Sequence, residues 1–162
     1  MIFQSLETGL IAYSPGRLPM NSDFTLAVHA LVFLNHKAEV LSSETLAQNI
    51  CTNPARVRRV MSRLAKAGLV ETREGRKEGG YQFSLCPSQV NLRQVSDALG
   101  SCFVSTGWRS GDPHMACRVA SGMATVMDRL YANLDDLCKD YLSNVTISQI
   151  DRILFPKEDT NS

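Results

Sequence analysis

Apolar side chains recur along the chain at two different periods, and the switches between them mark its elements. Residues 24–34 place Leu26, Ala27, Ala30, Leu31 and Leu34 on one side of a helical projection, so a helix is predicted there, with Ser22 or Asp23 as its N-cap. A polar break covers 35–41. Ser42 or Ser43 then caps a short helix that turns Leu46, Ala47 and Ile50 inward. Cys51-Thr52-Asn53-Pro54 reads as a tight turn, and Pro54 suits the first position of a helix, where its missing amide costs nothing. The helix that follows, 54–66, has an apolar stripe of Val57, Val60, Met61 and Leu64. Arg56, Arg59, Arg63 and Lys66 lie on a different face of it. Ala67-Gly68 closes this helix.

The period then changes to two. Residues 69–72 and 81–85 are extended runs, the second alternating Tyr81, Phe83 and Leu85 with Gln82 and Ser84. Between them 73–80 is a charged, glycine-bearing tip, and Pro87 ends the hairpin. Helical spacing resumes with Leu92, Val95 and Leu99 behind a cap at Asn91. Residues 100–113 form an irregular loop. From about 114 to 142 a long helix is predicted, in which Val119, Met123, Val126, Leu130, Leu134, Leu137 and Tyr141 make a seam suited to packing on another helix. Gly122 weakens that helix at one point. Thr146 caps a last short helix, 147–154. The fold class is therefore mainly α with a small β-hairpin. The segments are an N-terminal tail (1–20), a helix-turn-helix with hairpin (21–86), a linker helix, loop and long helix (87–155), and a disordered tail (156–162). Residues 1–19 have no helical period. They are expected to be either a mobile arm or the product of an upstream start, Met20 being a sensible alternative.

Composition changes this picture little. Of 162 residues, 44% are hydrophobic and 20% charged, an ordinary balance from which a core forms without metals or disulfides. No apolar run is long enough to span a bilayer, and the first residues lack the basic and apolar regions of a secretory signal. Five cysteines at scattered spacings argue for a reducing, cytoplasmic setting. Charge distribution matters more. The net charge is only +1, yet residues 56–78 hold eight basic side chains against three acidic ones. A nearly neutral chain with one basic patch fits a polyanion at one place.

Helix, turn, basic helix and basic hairpin in that order predict binding to double-stranded DNA. A helix in the major groove needs short polar groups and arginines near its N-terminus, which Thr52, Asn53, Pro54, Arg56, Arg58 and Arg59 supply. Ser43, Thr45 and Arg63, with Arg73, Arg76, Lys77, Gly80 and Tyr81 of the hairpin, are the further DNA-contacting candidates. No catalytic constellation is present: there is no His-Glu-x-x-His, Walker loop or Gly-x-Ser-x-Gly. His29, His36 and His114 are too dispersed to suggest a metal site. Asp135-Asp136 reads as a solvated face, and Trp108 as core or as the wall of a small-molecule pocket.

The run VRRVMSRLAKAGLVETREGRKEGGYQFSL resembles the Rrf2-type winged helix-turn-helix transcriptional regulators, the IscR/NsrR/CymR family. The matching features are Arg58-Arg59, Leu64, Ala67-Gly68-Leu69-Val70 and the Gly79-Gly80-Tyr81 of the wing; the similarity extends over about 21–155. The resemblance implies a homodimer, a near-palindromic operator, repression of transcription, and a dimerisation role for the long C-terminal helix. Members holding an iron–sulfur cluster use three cysteines, about five residues apart, in the loop before that helix. Here the loop has only Cys102 and Cys117, with Cys117 at the third position and none at the middle one. No cofactor and no metal is therefore expected.

Cys51, Cys102 and Cys117 are instead candidate sensors of redox state. Cys51 stands just before the basic helix, a setting that lowers a thiol pKa. Cys86 and Cys138 read as core or interface. The alternative function is a winged helix used for protein interaction, or an accessory subunit of a metabolic enzyme.

Overall fold

The computed structural model describes residues 22–75 and 79–156. The predicted tail at 1–20, Arg76 and Lys77 of the wing tip, and all but the first residue of the C-terminal tail lie outside the described residues. Helix α1 (Ser22–Lys37) opens the structure, followed by α2 (Ser43–Ile50) and α3 (Pro54–Lys66). Strands β1 (Glu71–Arg73) and β2 (Gly80–Gln82) form the hairpin, and α4 (Leu92–Leu99), α5 (Arg118–Ser143) and α6 (Ile147–Leu154) complete the chain.

Side-chain caps set most of the helix starts. Ser42 Oγ accepts from the Thr45 amide at 3.1 Å to start α2, and Asn53 Oδ1 accepts from the Arg56 amide at 2.8 Å to start α3, with Pro54 in its first turn. Asn91 with Gln94, and Thr146 with Gln149, form reciprocal capping boxes at α4 and α6. Ser22 and Asp23 were expected to cap the first helix; they lie inside its first turn instead. The long helix begins at Arg118, later than its apolar period suggested. Asp112 diverts the chain by accepting from the amides of His114 and Met115, at 2.9 and 3.1 Å, and Cys117 becomes the N-cap.

The core is one cluster. Leu31, Leu34, Leu46, Val57, Val60, Met61 and Leu64 are fully buried between α1, α2 and α3, and Val95 of α4 and Ile147 of α6 join them. Leu69, Val70 and Phe83 tuck the feet of the hairpin under this cluster, so the strands are shorter than the extended runs predicted. β1 and β2 pair antiparallel with Thr72 opposite Tyr81. A third stretch joins them from the break before α2. Leu41 N donates to Tyr81 O at 3.0 Å, and Tyr81 N to Leu41 O at 2.9 Å. Gly80 makes this approach possible, because a Cβ there would stand 2.4 Å from Leu41 O.

Helix α5 packs on α4 yet contributes almost nothing to the core; its buried residue is Asp135. Asp135 therefore corrects the reading of Asp135-Asp136 as a solvated face. Its Oδ1 accepts from the amides of Phe103 and Val104, at 2.6 and 3.1 Å, and Lys139 Nζ lies 2.9 Å from Oδ2. Burial pushes this carboxyl up, but Lys139 and the two amides outweigh it and hold the pKa down to about 2. The side chain ties the loop after α4 to α5. The seven-residue apolar seam of α5 faces outward in the single chain, with Leu137 64% exposed.

Candidate nucleic-acid interface

Because the apolar stripe of α3 is fully buried, the geometry of a helix decides which side chains face away from the protein. Opposite Val57, Val60 and Leu64 stand Ala55, Arg59, Ser62 and Lys66, all exposed. Arg58 lies on the flank toward α2, and Arg56 and Arg63 on the flank toward α1 and α4. The sequence had grouped Arg56, Arg59, Arg63 and Lys66 as one outward face. The structure splits that group.

Arg56 is half-buried and held by the first turn of α1. Its Nε and Nη2 donate to Asp23 Oδ1 at 2.9 and 2.8 Å, and Nη2 also donates to Ser22 Oγ. Arg63 donates to the Leu99 carbonyl at the end of α4, satisfying a helix C-terminus. Both arginines brace the recognition helix against its neighbours. Arg59 reaches back to Asp23 Oδ2 at 3.1 Å, but its side chain is 66% exposed and can leave that pair. Burial raises the Asp23 carboxyl; the Arg56 hydrogen bond and the charges of Arg59 and Arg56 overcome this and set it below the usual carboxylate range.

On the other flank Arg58 Nη1 donates to Ser43 Oγ at 3.0 Å and to Glu44 Oε1 at 3.1 Å, while Ser43 Oγ donates to Glu44 Oε2 at 3.1 Å. Ser43 is buried and acts as a support of Arg58. Thr45 is exposed at the start of α2, with its hydroxyl 3.0 Å from that of Ser42. Thr52 is half-buried and Asn53 exposed, and together with Pro54 they bring the N-terminus of α3 to the surface. Arg73 is exposed at the end of β1. Gly80 sits against Leu41, and Tyr81 is half-buried, its phenol pushed up by burial with Arg58 working in the opposite direction. These two anchor the hairpin beside α3. Sequence reasoning missed Ala55, Ser62, Glu44 and Asp23. A wheel centred on the apolar stripe would have found the first two; the partners of Arg56 and Arg58 lie across the fold.

The five thiols occupy five settings. Cys51 has left-handed backbone, φ 58°, and closes α2 in the turn before α3, exposed. Cys102 is exposed in the loop after α4. Cys117 is exposed at the start of α5, where the amides of Ala120 and Val119 hold its thiol below the usual range. Cys86, expected in the core, is exposed where the chain leaves the hairpin, and its pairing with Ser88 lowers its thiol. Cys138 is half-buried, in an apolar groove with Phe103, Val104 and Leu134. Trp108 is 72% exposed in the loop and so lies outside the core. Among the described residues no three of His, Cys, Asp or Glu converge as metal ligands. No described helix is long and apolar enough to cross a membrane.

Comparison with known proteins agrees with this geometry. A family model described as "Rrf2: Iron-dependent Transcriptional regulator" matches residues 20–152. The chain is 25% identical over 136 residues to the Bacillus subtilis (strain 168) protein named "Putative HTH-type transcriptional regulator YwnA", covering 84% of this chain and 99% of that one. Its structure is similar to a crystal structure titled as a putative transcriptional regulator from Lactobacillus plantarum, with a TM-score of 0.72, 26% identity, and 84% and 91% of the two chains covered. It is also similar in fold to CymR, titled the global cysteine regulator of B. subtilis, with a TM-score of 0.60, 18% identity, and 85% and 98% covered. The family match runs from the start of α1 into α6, and so takes in the exposed face of α3, its Leu41-anchored hairpin and the long α5 together. This chain belongs to the Rrf2 family of winged helix-turn-helix, DNA-binding transcriptional regulators.

Proposed function

We propose that the chain works as a cytoplasmic homodimeric repressor of a near-palindromic operator, without catalytic activity and without an iron–sulfur cluster. The observation that carries the reading is the outward face of α3. Arg59, Ser62 and Lys66 project from it, its N-terminus is exposed at Asn53, and the hairpin is locked beside it. In the major groove Arg59 and Asn53 reach base edges, while Thr45, Arg58, Lys66 and Arg73 hold phosphates. A second subunit on the α5 seam covers Val119, Val126, Leu130 and Leu137 and sets two recognition helices on one side of the dimer. The exposed thiols Cys51, Cys102 and Cys117 make this dimer responsive to oxidation by peroxide or disulfides.

The test is a gel-shift titration of upstream DNA with wild type and Arg59→Ala at two salt concentrations. Wild-type affinity should fall steeply with salt, because binding of the basic side chains releases counterions from the phosphates. Arg59→Ala should cost about 1–3 kcal/mol if the side chain reads a base. Binding indifferent to salt, to sequence and to Arg59 would return the basic face to a protein partner. DNA affinity unchanged by peroxide would remove the redox response, and brown colour after anaerobic iron and sulfide treatment would overturn the cluster-free reading.

A further inference from the structure

A cleft lies beside the recognition helix, on its flank toward α1 and the end of α4. It has a volume of about 610 Å³ and is open to solvent, between the first turn of α1, the Arg56–Arg63 flank of α3 and residues 99–105 after α4. Three guanidinium groups line it, those of Arg56, Arg59 and Arg63, and Asp23 supplies the single carboxylate among its lining residues. Its walls are therefore doubly positive, and α1 begins at its edge, adding the positive end of a sixteen-residue helix. The guanidiniums are not used up. Each has five N–H donors, yet Arg59 directs one nitrogen, Nη2, at Asp23, and Arg63 one nitrogen, Nη2, at the Leu99 carbonyl. Ser101 and Ser105 are also among its lining residues.

We propose that this cleft is a binding site for a small organic dianion, a molecule with two oxyanion groups such as a dicarboxylate. Arg59 and Arg63 are one turn apart on the same side of α3, so their planar forks can each take one oxyanion in a charge-assisted, two-point contact. Asp23 is the internal competitor. It occupies Arg56 and Arg59 when the cleft is empty and yields Arg59 to the ligand. An occupant bridges three parts of the fold: the N-terminus of α1, the recognition helix and the start of the loop. The inference goes beyond DNA binding and does not depend on it, so its test contains no DNA.

The experiment is an amide NMR titration of the full 162-residue chain with succinate, using sodium chloride at matched ionic strength as the control. Saturable shifts are expected at Ser22–Phe24 and Gly100–Ser105 with succinate and not with chloride. Arg59→Gln should weaken the apparent affinity about two- to five-fold, the range of an exposed ion pair. Asp23→Asn, which removes the competitor, should tighten it by a similar factor. Arg152→Gln, on α6 and outside the cleft, should leave it unchanged. Shifts that do not saturate, that chloride reproduces, or that survive Arg59→Gln unaltered overturn the proposal. Weaker binding by a folded Asp23→Asn variant does so too. If Asp23→Asn lowers thermal stability, the exposed Arg59 carries the test by itself.

Discussion

Gly80→Ala is the sharpest perturbation of the wing. A methyl group at position 80 would lie 2.4 Å from Leu41 O, 2.7 Å from Leu41 C and 3.1 Å from Ser42 N, all main-chain atoms that cannot rotate away. Restoring ordinary contact requires the hairpin to retreat by about 1 Å. The two hydrogen bonds between Leu41 and Tyr81, at 2.9 and 3.0 Å, then exceed bonding range. Each is worth about 0.5–1.5 kcal/mol, so the loss is about 1–3 kcal/mol. In a domain of this size that lowers Tm by roughly 2–4 °C per kcal/mol. Gly122→Ala is the natural counterpart, since nothing lies within 4 Å of a Cβ there and the residue is inside α5. It should raise stability by about 0.5–1 kcal/mol. Urea unfolding of both variants measures the difference, and hydrogen exchange at the Tyr81 amide reports the wing directly. A Gly80→Ala protein within about 0.5 kcal/mol of wild type, its Tyr81 amide still protected, would refute the reasoning.

Asp135→Asn keeps the shape of the loop tie but loses its charge and turns an amide toward existing donors, and should cost about 1–3 kcal/mol. Its folded pKa of about 2 lies below the ordinary 3.8, so its contribution is complete above that value and drains away as pH falls toward 2. Wild-type and variant stabilities measured by chemical unfolding should therefore converge in acid, and a gap independent of pH would contradict the assignment. If the proposed dimer forms through the α5 seam, Leu130→Asp combined with Leu137→Asp should make the protein sediment as a monomer while leaving the core intact, because both side chains are exposed in the single chain. Unaltered sedimentation would place the subunit contact elsewhere.

Much of the fold was legible because it rests on local chemistry. Asn91 and Thr146 cap helices as expected, Ser42 is the cap of the two serines considered, and Pro54 stands in the first turn of α3. The stripe from Val57 to Leu64 is buried throughout. What escaped was set by distant pairings. Arg56 and Arg59 meet Asp23 across 33 and 36 residues, and Arg63 meets Leu99 across 36. No periodicity in α3 could show that its arginines would pair with groups on α1 and α4. Leu41 joins the sheet across a comparable gap, and only the need for a glycine at position 80 hinted at it. Asp135 looked like any surface acid because the amides it accepts from belong to an irregular loop.

The central claim, that the outward face of α3 reads an operator as one of a symmetric pair, is tested most directly by selecting bound sequences from random double-stranded DNA with the purified full-length protein. The account predicts an enriched inverted repeat whose half-sites are about one helical turn apart, bound as a dimer. In a parallel selection, Arg59→Ala should relax the preference at one base pair in each half. Enrichment of no motif, or of a motif unchanged by Arg59→Ala, would contradict it.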